Sequence, residues 1–474
     1  MAGYIGAAHG AGTAARDAGG GARIGDAGAT GAPVDIGSLL DEGSFTMVHT
    51  VVVFLAALSI LVDGFDSQLI GFVIPVLIKE WGIARNAFAP VVAAGLVGMA
   101  FGSAGAGLVA DRLGRRWAII GSVLVFGAAT FSIGLAPNIW VIAILRFIAG
   151  LGIGGVLPTS TTLTAEYTPV RFRTMAVTAT IVCVPLGGMS AGFLAARVLP
   201  VYGWRGLFMA GGVATLVLAL ALCAGLRESP RFLTRRPHRW PQLVGLLHSM
   251  LRPVDANAAF IDAREQEHER HVGFTALFKD GRAIDTSAMW IATFMSLLAV
   301  YSAFSWLPAM LTSQGLPIAI ASRGLTAYNL GGVIGALVCA LAISRFGSRW
   351  PLIVFSAGAA LSAWALIGVN PLHSTEWLVF GFGLHGLFVN AVVSTSFALC
   401  AYMYPTEVRA TGTASANSFG RLGAILSSFA GAAVITARGA SGYLLMLGAA
   451  MVAVAVALAV VRRHIPMPDG RRSV

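Results

Sequence analysis

Four ionisable residues fall inside long apolar stretches of the chain: Asp63, Asp66, Arg146 and Arg421. A charge at mid-bilayer costs about 2.5–3.5 kcal/mol on insertion scales, so it is kept where it faces a cavity or a partner. Asp63 and Asp66 are three residues apart and share one helix face. Two carboxylates on one face in a low dielectric resist ionising together, which suits them to hold and release a proton. A guanidinium is planar and permanently charged, and its fork matches a carboxylate bidentately. The four residues therefore suggest proton carriage at Asp63 and Asp66, modulated by Arg146, with Arg421 capturing the carboxylate of an organic anion. The alternative for Arg146 is a static buried pair with an aspartate that only fixes helix packing.

The elements that must position these charges follow from composition. Of 474 residues, 57% are hydrophobic and 11% charged, against about 25% charged in soluble domains. That excludes a soluble globule, a disordered chain and a collagen-like one, and leaves an integral membrane protein. A spanning helix needs about 20 predominantly apolar residues. Twelve such stretches are present: 48–75, 86–110, 116–136, 138–167, 174–199, 204–226, 288–313, 322–345, 350–369, 374–402, 409–436 and 440–462. The expected fold is all-α, with these twelve spans in two six-helix halves, 47–226 and 288–462. A polar central loop (227–287) joins the halves. A Gly- and Ala-rich segment, 1–46, reads as a disordered tail, and 463–474 is a short C-terminal tail.

The net charge of +11 invites a nucleic-acid reading, but topology explains it better and no nucleic-acid motif is visible. With the N-terminus inside, cytoplasmic segments hold 24 of the 32 Lys and Arg, as the positive-inside rule requires. Both termini and the central loop are expected in the cytoplasm and the protein in a bacterial inner membrane. At about 1.5 Å per residue, Asp63 lies about 20 Å and Asp66 about 25 Å from the cytoplasmic start of span 1. Arg421 lies about 18 Å along span 11, and Arg146 about 12 Å from the external start of span 4. Cys183, Cys223, Cys339 and Cys400 sit in apolar runs and read as core residues. No secretory h-region, His-rich metal motif, P-loop or nucleophile elbow appears, so an enzyme is not expected.

An internal repeat supports the division. Asp111-Arg112-Leu113-Gly114-Arg115-Arg116-Trp117 between spans 2 and 3 returns as Ser344-Arg345-Phe346-Gly347-Ser348-Arg349-Trp350, 233 residues later. Gly98 and Gly102 match Gly331 and Gly335 at that offset, and Pro169 and Arg173 match Pro405 and Arg409. Such duplication marks secondary transporters, whose substrate site lies at the interface of the halves near mid-membrane. Gly98, Gly102, Gly150 and Gly154 have the four-residue spacing that permits close helix approach.

The stretch from Gly107 to Arg116 resembles the loop 2–3 motif of the major facilitator superfamily. Asp63-Gly64-Phe65-Asp66, followed by Gly71-Phe72-Val73 and Pro75, is similar to the superfamily's aromatic acid:proton symporter family. Gly150 to Pro158 with Glu166-Tyr167, Phe278 to Arg282, Trp306-Leu307-Pro308 and Tyr404 through Gly420-Arg421 agree. The resemblance covers about residues 45–462. It implies a proton-coupled symporter that imports a benzoate- or hydroxybenzoate-like carboxylate by alternating access. It also implies that Arg421 binds substrate and that the proton is the coupling ion, with no other cofactor. The sequence departs from the family at Thr159, where Asn is usual, at Val393, where Gln is common, and at Ser415, where Trp is usual, with Asn417 two residues on. These positions are expected to face the cavity. Other facilitator-type substrates (a sugar, a nicotinate-like acid or a drug) and a non-transporting membrane receptor are the competing readings.

Further candidates follow from depth. His385 near the middle of span 10 is a proton relay or a satisfied core residue. Asn390 is a donor to a ring hydroxyl or helix–helix glue. Tyr301, Phe304 and Trp306 form an aromatic wall for a flat ring, or belong to helix packing. By resemblance, Asp111 and Arg112 belong to a cytoplasmic gate, extended by Arg116, Glu166, Arg171, Arg173, Glu407 and Arg409. The expected partners are a small aromatic carboxylate, protons and lipid, without nucleic acid, acting on a monomer.

Overall fold

The computed structural model describes residues 34–41, 45–252, 254–255, 258–262, 274–279, 281–371 and 373–467. Long helices dominate them, as a bilayer demands: with no water in the core, each backbone donor and acceptor must be satisfied within the span. Span 1 is Met47–Trp81, span 2 Ala89–Leu113, span 3 Arg115–Ile133 and span 4 Ile139–Tyr167. Span 7 is Ala283–Ser313, span 8 Ile318–Phe346, span 9 Arg349–Ala365 and span 10 Thr375–Met403.

Two helices are double length, Val170–Gly225 and Thr406–Val460. A straight helix of 56 residues would run about 84 Å, far beyond a hydrocarbon core of about 30 Å. Each breaks at one glycine in the left-handed region, Gly203 (φ 64°) and Gly439 (φ 64°), a conformation that costs glycine little. Among the described residues ten helices are long and apolar enough to cross a membrane. Division at the two glycines turns these ten into the twelve spans expected, with spans 5 and 6 meeting at Gly203 and spans 11 and 12 at Gly439.

The halves repeat one packing plan. Span 4 lies against spans 2 and 3, and span 1 against Val170–Gly225; in the second half span 10 lies against spans 8 and 9, and span 7 against Thr406–Val460. The glycine spacing has the consequence expected of it. A Cβ at Gly98, Gly102, Gly150 or Gly154 would fall on a backbone carbonyl of the facing helix, and the same holds at Gly331 and Gly335. The seam between halves joins span 1 to span 7, span 2 to Thr406–Val460, and span 8 to Val170–Gly225.

The end of the tail departs from the disorder expected for 1–46. Val34–Asp35 pairs in parallel with Phe260–Ile261 of the central loop. Asp35 then caps the helix Ile36–Asp41, accepting from the Gly37 and Ser38 amides at 3.2 and 3.0 Å. Ile36 and Leu40 are buried, and Asp41 forms an ion pair with Arg173. Apolar burial and one capping aspartate order this stretch, which composition alone had merged with its Gly-rich neighbours; residues 1–33 and 42–44 lie outside the described residues. Span 7 begins at Ala283, inside the segment read as loop. Asp285 sits in its first turn, where a carboxylate favours the helix dipole, and accepts from the Arg462 amide at 2.6 Å.

Candidate functional site

The two aspartates of span 1 have different surroundings. Asp66 is fully buried. Its carboxylate accepts from the Thr130 hydroxyl of span 3 and lies 3.5 Å from an Arg146 Nη1 of span 4. The same nitrogen donates to the Asp66 carbonyl at 3.3 Å. Arg146 itself packs against Gly95 of span 2, where a Cβ would come within 3.3 Å of its Nε. Asp66 and Arg146 thus tie four spans of the first half together.

Asp63, about one turn nearer the N-terminal end of span 1, makes no ion pair within 4 Å among the described residues. The Ser67 hydroxyl donates to it at 3.5 Å. Its electrostatic neighbours are Arg421 across the seam and Asp66 on its own helix. Arg421 is half-buried; one Nη1 donates to the Met99 sulfur of span 2 and, at 3.3 Å, to the Tyr301 hydroxyl of span 7. Its Nε has no hydrogen-bond partner. A thioether and a phenol are weak, uncharged acceptors, so a guanidinium at the centre of the molecule is left with unspent capacity for an anion.

The aromatic wall is partly assembled. The Tyr301 and Phe304 rings meet edge-on at 5.8 Å, and Phe304 meets Tyr328 of span 8 at 6.0 Å. Trp306 turns away: it is fully buried, and its indole packs on Gly431 of span 11, where a Cβ would strike the ring. Helical rotation sends it into the core of the second half, two residues past Phe304. His385 also departs from the centre. Its Nδ1 lies 3.1 Å from the Ser362 hydroxyl and 3.1 Å from the Ala359 carbonyl, both on span 9. Of its two readings, the satisfied core histidine matches this geometry. Asn390 donates to the Gly386 carbonyl at 3.0 Å and fills the space over Gly332, the position of helix–helix glue. Asn417 lines a small cavity between spans 7, 10 and 11, together with Val393. Ser415 accepts instead from the Trp290 indole at 3.2 Å, and Thr159 is buried.

At the end of the bundle that carries the loop between spans 2 and 3, the charges of the described residues pair within their own half. Arg115 lies 2.9 Å from Asp111 and 3.5 Å from Glu166. The Arg112 carbonyl accepts from Arg236 at 2.7 Å, and the Arg116 amide donates to Glu228 at 3.1 Å. Arg409 donates to the Tyr404 carbonyl at 3.4 Å. The side chain of Glu407 lies outside the described residues. Among the described residues, side-chain bridges between the halves run instead from the middle of the spans toward the end where span 1 meets span 2: Arg421 and Tyr301 to Met99, Gln68 to Asn329, and Thr436 to Asn86 at 3.1 Å.

Gln68 and Asn329 were not among the candidates. A buried amide inside an apolar run is a signal for them, and Gln68 follows Asp66 by two residues. Met99 carries no polar signal and is recognisable only from its contact.

Twelve spans in two alike halves, with Arg421 on the seam between them, have the architecture of a secondary transporter. The Major Facilitator Superfamily sequence pattern matches residues 56–428 and 289–473. The chain is 35% identical over 410 residues to the 4-hydroxybenzoate transporter PcaK of Pseudomonas putida, covering 85% of this chain and 90% of that protein. It is 33% identical to a gallate transporter of Pseudomonas putida, with the same coverage. It is 30% identical to a benzoate transport protein of Acinetobacter baylyi, covering 83% and 85%. The fold is that of the xylose transporter XylE from E. coli in a partially occluded inward-open conformation (TM-score 0.69, 18% identity, 87% of this chain and 97% of that one). The chain belongs to the Major Facilitator Superfamily, in its aromatic acid transporter family. It is a multi-pass membrane transporter and not an enzyme.

Proposed function

We propose that the protein imports a small benzoate- or hydroxybenzoate-like carboxylate together with protons by alternating access. The observation that carries this reading is Arg421: a guanidinium on the seam, held by a thioether and a phenol, without a carboxylate within 4 Å among the described residues. The named substrates of the relatives, 4-hydroxybenzoate, gallate and benzoate, are carboxylates attached to a flat ring, and Tyr301 and Phe304 supply aromatic edges beside Arg421.

In this mechanism an external proton neutralises Asp63, and the substrate carboxylate pairs with Arg421. Each removes part of the electrostatic attraction between spans 1 and 11, so the halves can rock. In the inward-facing state the acid and the proton leave to the cytoplasm, and Asp63 again faces Arg421. Asp66 and Arg146 act through the rigidity of the first half and the charge they place beside Asp63. One proton with one monovalent anion is electroneutral, driven by about 1.4 kcal/mol per pH unit. A second proton would add about 2.3 kcal/mol per 100 mV. Asp111, Arg112, Arg116, Glu166, Arg173, Glu407 and Arg409 form the cytoplasmic gate of the outward-facing state. The protein acts as a monomer in a bacterial inner membrane with both termini in the cytoplasm.

The test is uptake of labelled benzoate and 4-hydroxybenzoate into proteoliposomes under an imposed pH gradient, with simultaneous measurement of external pH. Accumulation with matching alkalinisation outside is expected. Uptake independent of the gradient would sink the proton coupling, and no uptake of either acid would sink the substrate class.

A further inference from the structure

A second polar feature lies beside Arg421 and takes no part in the scheme above. We infer that the cavity between spans 7, 10 and 11 is a subsite for a ring hydroxyl at the far end of the carried acid; this rests on Arg421 binding the carboxylate. The cavity is lined by Thr293, Ser296 and Leu297 of span 7, Val393 and Ser396 of span 10, and Asn417 of span 11. Ser296 and Ser396 are 2% and 3% exposed, and neither hydroxyl has a hydrogen-bond partner. Serines in apolar helices ordinarily bond back to a carbonyl of the preceding turn, as Ser59, Ser356 and Ser427 do here. Six buried serines here, Ser160, Ser296, Ser302, Ser322, Ser396 and Ser428, lack such a bond, and of these Ser296 and Ser396 line the cavity; each can both donate and accept. The Thr293 hydroxyl is already committed, at 2.9 Å to the Met289 carbonyl and 3.0 Å to that of Ala416.

Position relative to Arg421 follows from helix geometry. Asn417 precedes Arg421 by four residues on span 11, and Leu297 precedes Tyr301 by four on span 7. Residues so spaced share a helix face, and both spans run from the cytoplasm outward. The cavity therefore lies about 6 Å, one turn, to the cytoplasmic side of the Arg421–Tyr301 contact. That offset matches an aromatic ring lying along the seam, with its carboxylate on Arg421 and a para substituent among the serines. No lining residue is charged. A second carboxylate or an ammonium would go unpaired there, whereas a neutral hydroxyl finds two unspent hydroxyls and an amide. Leu297 and Val393 supply apolar flanks for the ring edge.

The experiment compares binding of benzoate, 4-hydroxybenzoate and 4-methylbenzoate to the purified full-length protein by calorimetry. The methyl compound has the shape of the phenol without its hydrogen bonds. Wild type is expected to prefer the hydroxy acid over the methyl acid by about tenfold or more, because a site built around hydroxyls rejects an analogue that leaves them unpaired. Ser296→Ala with Ser396→Ala should erase that preference while benzoate binding persists; Ser396→Ala alone, a smaller perturbation, should reduce it. A preference that survives the double variant, or an equal loss for all three acids, overturns the subsite. Wild type that binds benzoate and the methyl acid as tightly as the hydroxy acid overturns it as well, leaving the role of Arg421 intact. Wild type that binds none of the acids overturns the carboxylate reading and the subsite together.

Discussion

Gln68 and Asn329 exchange two hydrogen bonds across the seam, each amide donating to the other's oxygen at 3.0 and 2.7 Å, with both residues fully buried. The pair joins span 1 to span 8, and the Asn329 amide also donates to the Leu325 carbonyl at 3.0 Å. It is a neutral latch toward the C-terminal end of span 1, and in the proposed orientation and alternating-access scheme it must open whenever the external side opens.

Gln68→Ala should therefore bias the protein outward. Polar bonds between membrane helices are worth about 0.6–1.7 kcal/mol each, so losing the pair shifts the two-state balance by about tenfold. The check is labelling of a cysteine placed at the external end of span 8, which should speed up in the variant. Unaltered labelling would show that other contacts hold the external side closed.

Asp63 and Asp66 should separate by phenotype. Asp66→Asn leaves Arg146 buried beside a neutral amide, and breaking a buried pair costs about 3–5 kcal/mol, so the expected loss is in folding and thermal stability. Asp63→Asn removes a charge that is not in an ion pair; it should fold and insert normally yet lose proton-driven uptake. Thermal unfolding and uptake on both variants decide it, and undiminished uptake by Asp63→Asn refutes its role.

Arg421→Lys keeps the charge and discards the planar fork. The bidentate match to a carboxylate is lost, and substrate affinity should fall by about tenfold or more, since one charge-assisted bond is worth about 1.5–3 kcal/mol. Titration calorimetry with 4-hydroxybenzoate measures it. Affinity equal to wild type would mean that a point charge is all the site needs.

Gly150→Val should destabilise the first half. A Cβ there falls on the Gly95 carbonyl, and overpacking of a tight contact costs about 1–3 kcal/mol. The melting temperature should drop, while Gly105→Ala, where a Cβ meets open space, should leave it near wild type.

Composition and hydropathy pattern were enough to determine the membrane class, the two-half plan and the four costly charges, because a bilayer imposes length and polarity rules that act residue by residue. Even the glycine-mediated approach of spans 2 and 4 was readable, since spacing along a helix is spacing on a face. What only the tertiary structure decided is which side chains meet. Asp63 and Asp66 look equivalent on one helix face, yet a difference of about 60° around span 1 turns one toward Arg146 and the other toward the seam. Trp306 and His385 sit at plausible depths and still point into the second half's own core, because depth says nothing about helix rotation. The Gln68–Asn329 latch, the Met99 contact and the unpaired serines beside Arg421 join residues more than a hundred positions apart or on different spans. Such partnerships arise from helix packing, and no local spacing encodes them.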